Sequence, residues 1–183
     1  NGITFDPVFD HNDAIGIGDF ALSQKDPNII YVGTGEKNSS RSSYAGSGIY
    51  KSADGGKSWT NLGLAATHHI GRVIIHPQDD NTVWVASIGS LYSNNADRGV
   101  FKTTDGGKTW RKTLFINDST GVIDLVVNPA NPQQLLAASW ERTRKSWNFK
   151  GNGPGSSIYR SEDGGETWVK SVAGFPQGNQ VGR

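Results

Sequence analysis

The 183-residue sequence predicts an all-β fold: a fragment of a β-propeller with three complete four-stranded blades and partial strands of the flanking blades. The first observation is an eight-residue phrase that occurs three times. Its copies are SADGGKSW at 52–59, TTDGGKTW at 103–110 and SEDGGETW at 161–168. The second is another repeated phrase, whose copies begin at Asp26, Asp79 and Asn131, 53 and 52 residues apart. The third is composition, because 24 glycines and 6 tryptophans favour short strands joined by turns.

Each repeat unit contains four predicted strands. An apolar stretch precedes the second phrase in every unit, as IGIGDFAL, HIGRVIIH or GVIDLVVN, and indicates a buried inner strand. The strands predicted for the second full unit lie near residues 70–76, 82–87, 99–103 and 109–115. A unit of about 40–50 residues with four short strands is typical of a propeller blade. The predicted organisation is an outer strand of a truncated blade at 1–12, blades at 13–63, 64–116 and 117–174, and the start of another blade at 175–183.

The two ends of the chain predict an incomplete ring. The sequence NGITF at 1–5 aligns with GGKSW at 55–59, which puts Phe5 in the tryptophan position of a degenerate box. The terminal QVGR aligns with HIGR at 69–72. Propellers usually close with about 4–8 blades, so we expect further blades of a parent protein, or a second chain, to cover the open flanks. Exposed apolar blade faces and strand edges would otherwise invite association.

The thrice-repeated box favours a structural role. Its aspartate can accept backbone N–H bonds within a turn, its Gly-Gly pair permits positive φ, and its tryptophan can pack between blades. Calcium binding is the alternative, but calcium needs about six to eight oxygen ligands and each box offers one carboxylate. Three separated blades also cannot bring their box aspartates to one substrate. The residues predicted to be structural are Ser52, Asp54, Gly56, Trp59, Thr103, Asp105, Gly107, Trp110, Ser161, Asp163, Gly165 and Trp168.

The boxes resemble the Asp-box of bacterial neuraminidase repeats. The wider pattern resembles one branch, the bacterial sortilin-like Asp-box propellers that are often labelled glycosyl hydrolases. The resemblance lies in DPNIIYVGTGE, GSGIYKSADGGKSW, HIGRVIIHP, RGVFKTTDGGKTW and GNGPGSSIYRSEDGGETW, which together span nearly the whole chain. It implies that the box turns lie on the face away from the substrate site. It also implies an extracytoplasmic protein, whether secreted, periplasmic or at the cell surface.

Ligand binding is therefore expected on the opposite face, where loops join second to third strands and links join the blades. The longest insertion, WERTRKSWNFKGNGPGSS, combines aromatic and cationic residues that suit a stacking surface. The alternative is that its aromatic residues pack against their own blade. The candidate ligand-binding residues are His69, Arg72, Trp140, Arg142, Arg144, Trp147, Phe149 and Arg183.

Charged residues of alternating sign occupy one position of the inner strands. Asp19, Arg72 and Asp124 each stand seven residues before the second repeated phrase, and Arg183 takes the matching place in the next unit. We expect their side chains at one level of a central channel. They form either structural ion pairs, whose attraction partly offsets desolvation, or the floor of a ligand site.

Composition excludes some functions. A net charge of +1 gives no electrostatic reason for nucleic-acid binding, and no apolar run is long enough to span a membrane. With no cysteine there is no thiolate nucleophile or Cys-ligated metal. Consecutive side chains of a strand point to opposite faces, so the adjacent His68 and His69 are not expected to bind one ion together. We therefore predict no metal site and no cofactor.

Three functions remain open. The first is an extracytoplasmic scaffold that binds protein, peptide or glycan, and the second is a glycoside hydrolase acting on a polysaccharide or sialoside. Hydrolysis needs two carboxylates about 5–5.5 Å apart for retention or about 6.5–9.5 Å apart for inversion. The third is a purely architectural module. The candidate catalytic carboxylates are Asp19, Glu36, Asp97, Asp124 and Glu141, and no spacing singles out a pair among them.

Overall fold

The computed structural model describes residues 2–174 and residue 176, and within them the chain forms three four-stranded antiparallel sheets. The first sheet contains β1 (Ile17–Leu22), β2 (Ile30–Thr34), β3 (Ile49–Ser52) and β4 (Thr60–Asn61). The second contains β5 (Ile70–His76), β6 (Asp79–Ser87), β7 (Gly99–Thr103) and β8 (Arg111–Leu114). The third contains β9 (Thr120–Val127), β10 (Leu135–Glu141), β13 (Ser157–Ser161) and β14 (Val169–Lys170). A two-stranded hairpin, β11 (Thr143–Arg144) and β12 (Phe149–Lys150), rises from the third sheet.

Each sheet is a simple meander in which every strand pairs with the strand that follows it within its unit. In the second sheet, the predicted first and third strands have the observed bounds, 70–76 and 99–103. The second strand begins earlier than predicted, at Asp79, because a register shift pairs His76 with Asp79 across the tight turn. These sheets confirm the prediction of an all-β propeller fragment.

The three sheets pack side by side, with β1 beside β5 and β5 beside β9. One apolar cluster joins the first and second sheets, and another joins the second and third. The inner strands come close because glycine lies at the contacts: a Cβ on Gly18 would overlap the carbonyl oxygen of Ile70, and a Cβ on Gly71 that of Ile123. Apolar burial between neighbouring sheets therefore provides the core, and no sheet buries both faces alone.

The box tryptophans connect neighbouring units, as predicted. Each indole N–H donates to the preceding unit: Trp59 to Val8 O at 2.7 Å, Trp110 to Leu62 O at 3.0 Å, and Trp168 to Thr113 Oγ1 at 3.3 Å. Leu62 and Thr113 stand three residues after the preceding box tryptophan, and Val8 stands three residues after Phe5. This spacing supports the alignment that puts Phe5 in the tryptophan position.

The predicted partial blades have no confirmed counterpart. Residues 2–14 contain no strand, although Phe9 is buried edge-on against Trp59 at a ring-centroid distance of 5.0 Å. The segment 175–183, predicted to begin another blade, lies outside the described residues except for residue 176. Both assignments, and the blade boundaries, stay predictions.

Apolar side chains are exposed on the outer faces of the first and third sheets, among them Phe20 (61%) and Leu136 (46%). In the described part of the chain, no helix has the length and apolar character needed to cross a membrane.

Candidate functional site

The box end of each sheet, where the third strand turns into the fourth, is closed by hydrogen bonds within the box. Asp105 accepts bonds from the Thr109 hydroxyl (2.6 Å), the Thr109 N–H (3.0 Å) and the Thr103 hydroxyl (2.7 Å). The Gly107 N–H donates to the Thr103 hydroxyl at 3.0 Å. The same four bonds recur in the other two boxes. Both glycines of each box have positive φ, as predicted.

These bonds keep the box carboxylates ionised. The hydroxyl and N–H of Ser58, followed by the hydroxyl of Ser52, lower the pKa of Asp54 to about 2. The pKa values of Asp105 and Asp163 are lowered by the corresponding bonds. A general acid needs a pKa near the working pH, so these groups do not suit that role. Residues 2–174 and 176 contain no cluster of three His, Asp or Glu side chains that could hold a metal ion.

The charged residues of the inner strands meet around Arg72. Its Nε donates to Asp124 Oδ1 at 2.6 Å, and its Nη1 lies 3.6 Å from Asp19 Oδ1. Asp19 also accepts the Val73 N–H at 2.9 Å, which joins β1 to β5. Burial acts to raise the pKa of Asp124, but the hydrogen bond and charge of Arg72 outweigh it, and the pKa is lowered. This geometry favours structural pairing, although both aspartates stay partly accessible. Arg183 lies outside the described residues.

At the opposite end, which we call the loop end, three loops contact one another: residues 35–48, 88–98 and 142–156. The Tyr92 hydroxyl donates to Arg41 O at 2.7 Å, which joins the second loop to the first. The Arg142 guanidinium donates to the Ser39 hydroxyl and to Gly89 O, and so joins the third loop to the other two. Residues from all three sheets therefore hold this surface together.

His69 holds the first loop by a hydrogen bond to its backbone. It is buried, and its Nδ1 accepts the Glu36 N–H at 3.1 Å, so the neutral ring carries its proton on Nε2. Burial, with the charges of Arg142 and His68, lowers the pKa of His69 to about 4. The Glu36 carboxylate accepts the Tyr44 N–H at 3.0 Å within the same loop. These two candidates thus order the loop.

Arg98 is a residue that the sequence did not single out. It is only 1% exposed, and its guanidinium donates to backbone carbonyls. The acceptors are Ile88 O (2.7 Å), Ser90 O (2.6 Å), Ser93 O (3.0 Å) and Ser119 O (3.4 Å). Burial lowers the pKa of Arg98 to about 10. The second loop is therefore folded around a buried cation. Because its acceptors are backbone carbonyls, no side-chain pattern in the sequence indicates this role.

The aromatic residues at the end of β10 and in the third loop differ in burial. Trp140 is buried, donates to Gly151 O at 2.8 Å and meets Phe149 edge-on at 6.2 Å. The guanidinium groups of Arg142 and Arg144 lie over Trp140 and Phe149, at 5.3 and 4.9 Å from the ring centroids. Trp147, at the turn between β11 and β12, is 81% exposed.

The two remaining candidates on the loop end, Glu141 and Asp97, have different hydrogen-bond partners. Glu141 accepts the Gly155 N–H at 2.8 Å and lies 3.7 Å from Lys150 Nζ. Asp97 contributes its backbone carbonyl, which accepts the Ser87 hydroxyl at 2.5 Å. Of the five candidates, Asp19 and Asp124 are the two that share a charged partner.

A groove of about 400 Å³, which we call the loop groove, lies between the second and third loops. It is lined by Leu91, Tyr92, Ser93, Asn94, Arg142, Thr143 and Lys145. Trp147 stands two residues beyond Lys145, at the same hairpin. The loop end therefore offers a polar, positively charged groove and, on a hairpin that supplies part of its lining, an exposed aromatic side chain.

Comparison with known families gives one extensive match. The family model Sortilin-Vps10, described as sortilin, neurotensin receptor 3, matches residues 47–178, which is more than half of the chain.

Curated relatives carry names of xyloglucan-degrading enzymes. The chain is 29% identical to xyloglucanase Xgh74A of Acetivibrio thermocellus, over 96% of this chain and 22% of that protein. It is 35% identical to a probable oligoxyloglucan-reducing end-specific xyloglucanase of Neosartorya fischeri, over 68% of this chain and 14% of that protein. The chain thus spans about a fifth or less of the length of these relatives.

Solved structures share the fold. An ancestral GH74 enzyme superimposes with a TM-score of 0.65 at 18% identity, covering 94% of this chain and 20% of that one. A GH74 xyloglucanase from Xanthomonas campestris gives a TM-score of 0.58 at 19% identity, covering 90% and 24%. At these identities the likeness shows the propeller fold alone.

Proposed function

Because the chain belongs to the Sortilin-Vps10 family of Asp-box propellers, we propose that it is an extracytoplasmic scaffold whose loop end binds a polysaccharide, with xyloglucan as the first ligand to test. The names of the curated relatives support this ligand. An extracytoplasmic location, whether secreted, periplasmic or at the cell surface, belongs to the same proposal. We also propose that further blades of a parent protein cover the exposed flanks of the first and third sheets.

The exposure of Trp147 carries the proposal. A fully presented indole at the tip of a hairpin costs free energy in water and offers a flat apolar face on which a sugar ring can stack. The hairpin is held in place, because Arg144 lies over Phe149 and Phe149 meets the buried Trp140. An exposed aromatic side chain on a hairpin whose neighbouring residues are packed can serve as the anchor of a binding site.

The test is the affinity of the purified protein for xyloglucan, measured by affinity gel electrophoresis and isothermal titration calorimetry. We expect Trp147→Ala to weaken binding about tenfold, since stacked aromatic anchors typically contribute one to a few kcal/mol. Phe20→Ala is the matched control, because Phe20 is an exposed aromatic residue on the flank of the first sheet. Unchanged affinity of Trp147→Ala, or binding of peptides in place of glycans, would overturn the proposal.

A second candidate is glycoside hydrolysis, favoured by the placement of Asp19 and Asp124 on either side of Arg72. The lowered pKa of Asp124 suits a base or nucleophile, and the acid would have to come from another carboxylate. Release of reducing sugar from xyloglucan, abolished in Asp124→Asn, is the expected result if hydrolysis occurs. Absence of release by the unsubstituted protein would exclude it for this chain.

A further inference from the structure

The loop groove has the size and lining of a ligand site. Its volume of about 400 Å³ lies within the range of about 300–1,000 Å³ that is common for small-molecule sites. One wall is formed by residues 91–94 and the other by residues 142, 143 and 145. The bonds from Arg98 to Ser90 O and Ser93 O hold the first wall, so the groove is formed before a ligand arrives.

The charge of the groove is positive. Arg142 lies at its floor and Lys145 is exposed at its rim, whereas the described lining contains no carboxylate. Glu141, which precedes Arg142 in the chain, contacts Gly155 and Lys150. A negatively charged group that enters this groove would therefore be attracted by the cations of its lining.

The neutral groups of the lining suit a sugar. Tyr92 is 49% exposed and fixed by its hydroxyl bond to Arg41 O, so one part of its ring is presented to the groove. Asn94 and Thr143 supply donors and acceptors that can meet hydroxyl groups. This lining suits a sugar that bears a carboxylate, because the Tyr92 ring can stack on the sugar ring, the polar side chains can bond its hydroxyl groups, and a cation can pair with its carboxylate.

We propose that the loop groove binds a uronic acid unit of an acidic polysaccharide, with its carboxylate at Lys145 above Arg142 and its ring beside Tyr92. This inference rests on the proposed glycan-binding function of the loop end and names a charged sugar for one part of it. Trp147, on the same hairpin, would contact a neighbouring unit of the same polysaccharide chain.

Binding of polygalacturonate and of neutral xyloglucan to the purified protein, measured by calorimetry at two ionic strengths, tests the inference. We expect polygalacturonate to bind, with an affinity that falls as salt is raised. Lys145→Gln should weaken it about five- to tenfold, whereas Lys145→Arg should keep most of it. Lys57→Gln, which removes an exposed lysine at the box end, is the matched control and should bind like the unsubstituted protein.

Two outcomes separate this inference from the proposed function. If xyloglucan binds with the expected dependence on Trp147 but polygalacturonate does not bind, the charged-sugar site is refuted and the proposed function stands. If polygalacturonate binds and xyloglucan does not, the charged-sugar site stands and the neutral ligand is refuted. Polygalacturonate binding that is equal in Lys145→Gln and the unsubstituted protein would place the anion elsewhere and refute the groove.

Discussion

At the box end the same set of hydrogen bonds closes each turn from within its own eight residues, whereas at the loop end bonds between loops of different sheets add to the bonds within each loop. The Ser or Thr hydroxyl lies 2.7, 2.7 and 2.8 Å from the box carboxylate in the three copies. The bonds that join one loop to another at the loop end do not recur in this way: Tyr92 bonds Arg41, and Arg142 bonds Ser39.

This difference distinguishes the box end, which serves as the structural scaffold, from the loop end, which holds the candidate ligand site. The box carboxylate and the Ser or Thr hydroxyl find their partners within the turn, so these bonds can be copied from blade to blade without adjustment. A loop that depends on three sheets can vary in length and composition as long as the long-range bonds are kept. Substitutions at the box end should therefore change stability alone, while substitutions at the loop end should change stability and binding together.

The largest effect is expected from Arg98→Met. The substitution removes the donors that satisfy several buried carbonyls of the second loop. Hydrogen bonds to charged groups contribute about 1.5–3 kcal/mol each, and water can replace some of them, so we expect a loss of about 3 kcal/mol in the free energy of unfolding. Urea denaturation measures the loss, and polysaccharide binding should weaken in the same variant because one wall of the loop groove is released.

The control for Arg98 is Lys108→Met, which removes an exposed cation at the box end. Its free energy of unfolding should stay within about 0.5 kcal/mol of the unsubstituted protein. Hydrogen exchange should show loss of protection in residues 88–95 of Arg98→Met and no change in the boxes. Equal loss at both ends would contradict the independence of the two regions.

A second effect concerns pH at the loop end. The pKa of His69 is lowered to about 4 in the folded state, below the value of about 6.5 expected when unfolded. Its contribution to stability is therefore complete above about pH 6.5 and declines as the pH falls towards 4, by on the order of 2–3 kcal/mol. His69→Gln, which keeps an acceptor for the Glu36 N–H, should flatten this part of the curve of unfolding free energy against pH.

His11→Gln, at an exposed histidine outside the three sheets, is the control for the pH dependence. It should leave the slope between pH 4.5 and 7 unchanged. Glu36, Arg142 and His68 also act on His69, and Glu36 opposes the other two. A slope equal in His69→Gln and the unsubstituted protein would mean that other groups cause it.

The sequence predicted what is local or repeated. The three sheets, the second unit's strands near 70–76 and 99–103, and the positive φ of the box glycines follow from periodicity and turn chemistry, which act over a few residues. The resemblance to sortilin-like Asp-box propellers is confirmed by the family match over residues 47–178. The repeat alignment also brought Asp19, Arg72 and Asp124 to one level, because equal register places equal positions side by side.

The sequence did not predict which loop residues are buried. Trp140 and Trp147 lie in one predicted insertion, yet Trp140 is buried and Trp147 is exposed. Trp140 packs against Phe149 and donates to Gly151 O, contacts that the sequence pattern does not indicate. Arg98 went unnoticed for the same reason: its acceptors are carbonyls brought close by the second loop. A contact made by a single residue does not recur along the chain, so it produces no periodic pattern from which it could be predicted.

The smallest effect is expected at the box end, from Thr103→Val. The substitution keeps the shape of the side chain but leaves the buried N–H of Gly107 without its acceptor, which should cost about 1–2 kcal/mol. Thr109→Val removes a hydroxyl from the same carboxylate on the exposed side, so its cost should stay below about 1 kcal/mol. Urea denaturation ranks the two variants, and polysaccharide affinity should be equal in both. If either box variant weakened binding without unfolding the protein, the box end would have to be counted as part of the ligand site, because the Thr103 and Thr109 hydroxyls bond groups of their own turn.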